Sequence, residues 1–139
     1  MLRLAINGAN DPRVISFTER LTNTGDPVSR IFEFVKTKIK YERDPKGTEQ
    51  LSSPWVTIQK GYEDCDGKVV LAMAMLKVIG IESRFMVQAV KNDRFNHVLL
   101  QFYEDEQWIN FDPTYNKNIH VIGWRYPEAD REQIFSKVA

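Results

Sequence analysis

Cysteine is nearly absent from this chain of 139 residues: there is one, Cys65. No internal disulfide can form, so the fold must rest on packing, and the composition suits a reducing compartment. Histidine is almost as scarce, with two. A net charge is missing too, because nineteen basic residues balance nineteen acidic ones and no long block of either sign occurs. That balance lacks the electrostatic footprint of a nucleic-acid binder, and polyanion partners are not expected. No apolar run approaches the roughly eighteen residues a membrane span needs, and the first residues lack the charged-then-apolar pattern of a signal peptide. Repeats, low-complexity segments and linker-like shifts in composition are absent as well. The expectation is a soluble intracellular protein with one domain over residues 1–139. A domain near this length buries roughly 68% of its unfolded surface, enough for a real core.

What is present centres on Gly61 to Gly80, GYEDCDGKVVLAMAMLKVIG. Val69 through Leu76 is apolar at every position, so a helix here is hydrophobic all round and belongs in the middle of the domain. Cys65 stands just ahead of it. Helix-start N–H groups lack intrahelical partners and carry the positive end of the macrodipole, which favours a thiolate there. A lone cysteine is equally a small buried hydrophobe, and at this point both readings stand.

Along the chain, apolar Met1–Ile6 leads into a cluster of turn formers, Asn7 to Pro12, that offers a helix start. From Pro12 a short helix is expected to end near Thr24-Gly25. Asp26 and Pro27 then read as N-cap and first residue of an amphipathic helix over about 28–39. Tyr41 to Gly47 breaks that helix, and the segment up to Lys60 reads as a loop carrying Trp55 inward. After Gly80, a plausible C′ glycine, residues 83–90, 96–103 and 107–111 are rich in β-branched and aromatic side chains. With polar turns at Lys91–Asp93 and Glu104–Glu106, they predict an antiparallel meander. Weak strand signals follow at 116–123, and Pro127 predicts a C-terminal helix through Phe135. The class is α+β: N-terminal helices, then strands, with the buried cysteine helix packed on the sheet.

Cysteine chemistry needs a base to take the thiol proton and a third group to fix that base's tautomer. If the strands around Glu104–Glu106 form a hairpin, His97 and Asp112 meet at one end of the ribbon, and packing the ribbon on the central helix would bring His97 to Cys65. Gly61-Tyr62-Glu63-Asp64-Cys65-Asp66 resembles the Gly-x-Gly-Asp-Cys-Asp signature of the transglutaminase-like superfamily, whose core has a papain-like arrangement. Ile39-Lys40-Tyr41 with Asp44-Pro45, then Leu76 to Arg84 (LKVIGIESR), His97-Val98, Trp108 and Asp112-Pro113-Thr114, is similar to that family's remaining motifs in order and interval. The resemblance spans roughly residues 31–114 and implies a domain core of about 27–115, with Cys65 as nucleophile, His97 as base and acid, and Asp112 as the group that orients the histidine. Three positions depart from the pattern. Glu63 stands where many members have glycine, Gly67 replaces an acidic residue, and Leu99 replaces a tryptophan.

The resemblance implies acyl transfer on an amide of a protein or peptide, through a Cys65 thioester. Hydrolysis is expected over cross-linking, since 139 residues leave no room for the extra β domains of the large animal enzymes. A binding or assembly module that merely keeps the fold is the alternative. The Cys65 N–H is the first expected oxyanion donor, and Gln59 is the candidate second donor, with Trp55 and Tyr62 as competitors. Trp55, Tyr62 and Leu99 are expected along the substrate path. Asp66 is expected to help cap the helix, and Asp64 to pair with Lys68 or Arg84. No cofactor is expected, although some relatives use calcium and Asp64 and Asp66 are the carboxylates it would meet. Compact domains of this kind resemble those of bacteria and their phages, which implies the cytoplasm or a phage particle.

Overall fold

A computed structural model describes residues 1–43, 51–90, 95–113, 122–123 and 129–135, with 89–90, 95–96 and 129–135 described as backbone. Its centre is helix α5 (Cys65–Val78), where every residue from Gly67 to Leu76 is buried. Gly80 ends the helix in the left-handed region at φ +79°. The Ile81 N–H reaches the Leu76 carbonyl at 2.9 Å and the Gly80 N–H the Lys77 carbonyl at 3.0 Å, the paired bonds of a Schellman motif.

Four helices cover α5: α1 (Leu2–Ala9), α2 (Pro12–Leu21), α3 (Pro27–Lys38) and α4 (Pro54–Lys60). The last three start by one device, a capping side chain followed by proline at the first helical position. Asp11, Asp26 and Ser53 accept from the N–H of Arg13, Ser29 and Val56 respectively. Proline fixes a helical φ where an N–H would go unused, and the cap satisfies an orphan donor. The stripe Val28, Ile31, Phe32 and Val35 of α3 is buried against α5, as its spacing predicts. At Gly8 the packing of α1 on α4 is so close that a Cβ would lie 2.3 Å from Pro54 Cγ.

Strands β3 (Ser83–Val90), β4 (Phe95–Glu104), β5 (Gln107–Phe111) and β6 (Ala129–Phe135) form one antiparallel sheet in the order β5-β4-β3-β6. Asp105 and Glu106, both at positive φ, turn β4 into β5 with the handedness that suits strand twist. Phe85, Val98, Leu100, Phe102 and Phe111 join the core cluster that α5 anchors. A small parallel pair, β1 (Lys40–Tyr41) and β2 (Tyr62–Glu63), ties the exit of α3 to the residues before Cys65.

Three expectations change. Residues 54–60 are helix, not loop: Ser53-Pro54 is a start signal, and burial of Pro54 and Thr57 outweighs the poor propensity of the segment. Residues 129–135 are strand, not helix, because pairing with β3 satisfies backbone groups that would otherwise line an open sheet edge. The turn cluster expected from Asn7 starts later, because α1 runs through Ala9 and buries Ala5 and Gly8. The expected breaker from Asp44 to Gly47, the Lys91–Asp93 turn, Thr114 and most of the 116–123 segment lie outside the described residues.

Candidate active site

Cys65 is the first residue of α5, half-buried, with Asp64 as the N-cap whose Oδ1 accepts from the Gly67 N–H at 3.0 Å. Capping therefore falls to Asp64. Asp66 Oδ1 instead accepts a hydrogen bond from the Cys65 thiol at 3.6 Å. Burial, and then the charges of Asp66 and Asp64, push the thiol's pKa up from 9.0 to about 12. The expected thiolate bias is thus reversed. A helix terminus is worth at most about 2 kcal/mol, whereas a rise of that size corresponds to roughly 4 kcal/mol against the thiolate. Burial and the two carboxylates favour the protonated form of Cys65.

His97 Nε2 lies 2.6 Å from Asp112 Oδ2, as the hairpin register predicts. Asp112 is 3% exposed and follows directly on Phe111, whose ring packs edge-on against both Phe32 and Phe102. Those two contacts fix the end of β5, and with it the carboxylate. A neutral imidazole facing a carboxylate through Nε2 carries its proton there, so Nδ1 is the basic nitrogen.

Two further charged groups are buried near the start of α5, and sequence reasoning foresaw the burial of neither. Glu63 is 1% exposed. Its Oε1 accepts from the Asp64 N–H at 3.1 Å and its Oε2 pairs with Lys60 Nζ at 3.1 Å. A Cβ on Gly67 would sit 1.7 Å from Glu63 Cγ. Glu63 and Gly67, two separate departures in the sequence, are therefore one interlocked exchange: β2 supplies a carboxylate over a helix turn that carries no side chain. Lys68 is likewise 1% exposed. Burial pulls its pKa down from 10.5 to about 8, while Asp112 favours its charged form and Lys36 opposes it. The signal for it was partial: Lys68 directly precedes the apolar run Val69–Leu76 and is buried with it, whereas Lys77 just past the run is exposed. Arg84, the other expected partner for Asp64, donates to Gln101 Oε1 at 2.8 Å and stacks over Trp108 at 3.9 Å.

The expected substrate contacts separate. Tyr62 is 43% exposed, with Lys60 Nζ 4.8 Å from its ring centre. Gln59 is exposed on α4. Trp55 is half-buried beneath the Arg13 guanidinium, 5.2 Å from its ring centre. Leu99 is 1% exposed, pairs across the strands with Met86, and shares its strand face with His97 two residues before it. Among the described residues, no group of three or more His, Cys, Asp or Glu side chains could hold a metal ion, and no helix is long and apolar enough to cross a membrane.

A cysteine at the head of a buried helix, packed against an antiparallel sheet that carries a His–Asp pair, is the core layout of papain-like and transglutaminase-like proteins. The chain belongs to the transglutaminase-like superfamily, whose sequence profile matches residues 13–113. Solved structures agree on the fold. A candidate cysteine protease from Cytophaga hutchinsonii is similar with a TM-score of 0.64 and 18% identity, over 90% of this chain and 46% of that one. Legionella pneumophila LapG is similar with a TM-score of 0.54 and 20% identity, over 83% of this chain and 73% of that one. A protein described as a TGase follows with a TM-score of 0.57 and 14% identity, over 91% of this chain and 35% of that one. The chain thus spans less than half the length of the first of these. No curated protein sequence matches it at a significant level.

Proposed function

We propose that the protein is a cysteine-dependent acyl-transfer enzyme that cleaves amide bonds in a protein or peptide, with Cys65, His97 and Asp112 as its catalytic residues. The observation that carries this reading is the 2.6 Å contact between His97 Nε2 and Asp112 Oδ2, which leaves Nδ1 as the base in a domain whose thiol needs one. Nδ1 takes the Cys65 proton as sulfur attacks the carbonyl carbon, and the C–S bond forms as the carbonyl π electrons move to oxygen. The oxyanion meets the Cys65 backbone N–H, which as the first in α5 has no intrahelical partner. Gln59 is the proposed second donor. The imidazolium then protonates the departing amine, the C–N bond breaks, and water activated by Nδ1 releases the acid from the thioester.

Hydrolysis is favoured over amine transfer because structural neighbours from two organisms are described as candidate proteases. Tyr62, exposed beside β1, is the proposed substrate contact, and the substrate is a polypeptide. The test is alkylation of Cys65 by iodoacetamide near pH 7, followed by mass spectrometry. A base-assisted thiol should label with a pH profile set by an imidazole, and His97→Ala should slow it roughly 10²-fold. Labelling with the profile of an unassisted thiol, unchanged by His97→Ala, would count against the enzyme and for a binding module. Release of a free acid from a peptide-amide substrate, as opposed to transfer to an added amine, separates hydrolysis from cross-linking.

A further inference from the structure

The acyl-transfer steps do not use Glu63, yet its side chain is buried just ahead of the helix that carries Cys65. Burying a carboxylate is costly unless its oxygens are engaged, and an apolar side chain would fill the same space without that cost. Here both oxygens have partners. Oε2 pairs with Lys60 Nζ at 3.1 Å, and the same ammonium donates to Ser52 Oγ at 2.8 Å. Oε1 accepts from the Asp64 N–H at 3.1 Å, while the Glu63 carbonyl accepts from the Glu42 N–H, just past β1, at 2.9 Å. The peptide unit between Glu63 and Asp64 is therefore held at both ends. The next unit joins Asp64 to Cys65, and its carbonyl accepts from the Lys68 N–H at 3.0 Å. A trans peptide directs its N–H opposite to its carbonyl, so these bonds together set where the Cys65 N–H points.

Asp64 is the N-cap of α5 and Gly67 is the third residue of the helix. In a capping box, an acidic side chain at that third position reaches back to the N-cap N–H. Gly67 has no side chain to do so, and a Cβ there would collide with Glu63 Cγ at 1.7 Å. The same N–H is satisfied from β2 instead.

We propose that Glu63 is a positioning residue for the oxyanion donor: by holding the Asp64 N–H it fixes the chain's entry into α5, so that the Cys65 N–H faces the carbonyl oxygen under attack. The inference rests on the acyl-transfer reading. The charges that act on the thiol are those of Asp66 and Asp64, so Glu63 bears on the oxyanion and not on the sulfur.

The experiment compares two reactions of Cys65 in Glu63→Met and in the unsubstituted protein. The ester p-nitrophenyl acetate acylates the sulfur through a tetrahedral oxyanion and releases p-nitrophenolate as a burst, whereas iodoacetamide alkylates it by displacing iodide, with no oxyanion. Glu63→Met keeps the γ-methylene and lacks the acceptor. Acylation should slow roughly 10–100-fold and alkylation by less than about threefold, and Glu63→Gln, which keeps the acceptor, should recover most of the acylation rate. Equal slowing of both reactions, unslowed acylation, or no recovery in Glu63→Gln overturns the proposal. If Glu63→Met does not fold, Glu63→Ala combined with Gly67→Ala carries the same test, because the new methyl group occupies the space that the Glu63 side chain vacates. If the unsubstituted protein acylates no faster than N-acetylcysteine and His97→Ala changes neither reaction, the acyl-transfer reading fails. The positioning is then read from amide exchange of Asp64 by NMR, which should speed by about tenfold or more in Glu63→Met if Glu63 holds that N–H. Unchanged exchange overturns it.

Discussion

Cys65 and Lys68 stand one helical turn apart, and burial moves their titrations in opposite directions. The folded-state pKa of Lys68 is lowered from 10.5 to about 8, so between those values the unfolded chain binds more protons and stability rises with pH. The pKa of Cys65 is raised from 9.0 to about 12, so stability falls as pH rises through that range. Lys68→Met should therefore be more stable than the unsubstituted protein below pH 8, by up to about 3 kcal/mol, and the gain should shrink as pH climbs toward 10.5. Urea unfolding across the pH range checks this. At Gly67 the 1.7 Å approach to Glu63 Cγ predicts that Gly67→Ala costs about 1–3 kcal/mol as an overpacked site. Glu63→Ala combined with Gly67→Ala should recover part of that loss, measured by the same unfolding curves. Asp112→Asn should leave the fold intact while lowering turnover on a peptide amide by roughly 10³–10⁴-fold, since the amide can hold the wrong tautomer of His97.

At the scale of elements, the site depends on how the ends of α5 and β5 are fixed. Phe111 places Asp112 through two edge-on aromatic contacts, one to α3 and one to β4. Phe111→Leu should cost about 1–2 kcal/mol of stability but a disproportionate share of alkylation rate, because the carboxylate loses its mount. Comparing melting temperature with labelling rate checks whether the two losses separate. Helix starts were legible in the sequence wherever an acidic N-cap preceded proline, as at Asp11 and Asp26. The Ser53-Pro54 start was less visible, because α4 is seven residues long and draws its stability from contact with α5.

At the scale of the molecule, β6 closes the open side of β3. A chain ended after residue 128 would leave that edge unpaired, and edges of this kind recruit other chains. Such a chain is expected to self-associate, with light scattering at micromolar concentration as the measurement. The last strand could not be read from its own residues, since Asp130-Arg131-Glu132-Gln133 has no strand pattern. The sheet supplies the reason for its conformation.

The residues by themselves determined the buried helix, the meander and the order of Cys65, His97 and Asp112, because hydrophobic period and motif interval are local properties of the chain. The tertiary structure alone decided which charged groups are enclosed. Only packing shows that burial disfavours the Cys65 thiolate, that Glu63 fills the space above Gly67, and that Lys68 is enclosed with its helix. A pKa depends on what is excluded from around a group, and the chain acquires those surroundings only when α5 is enclosed.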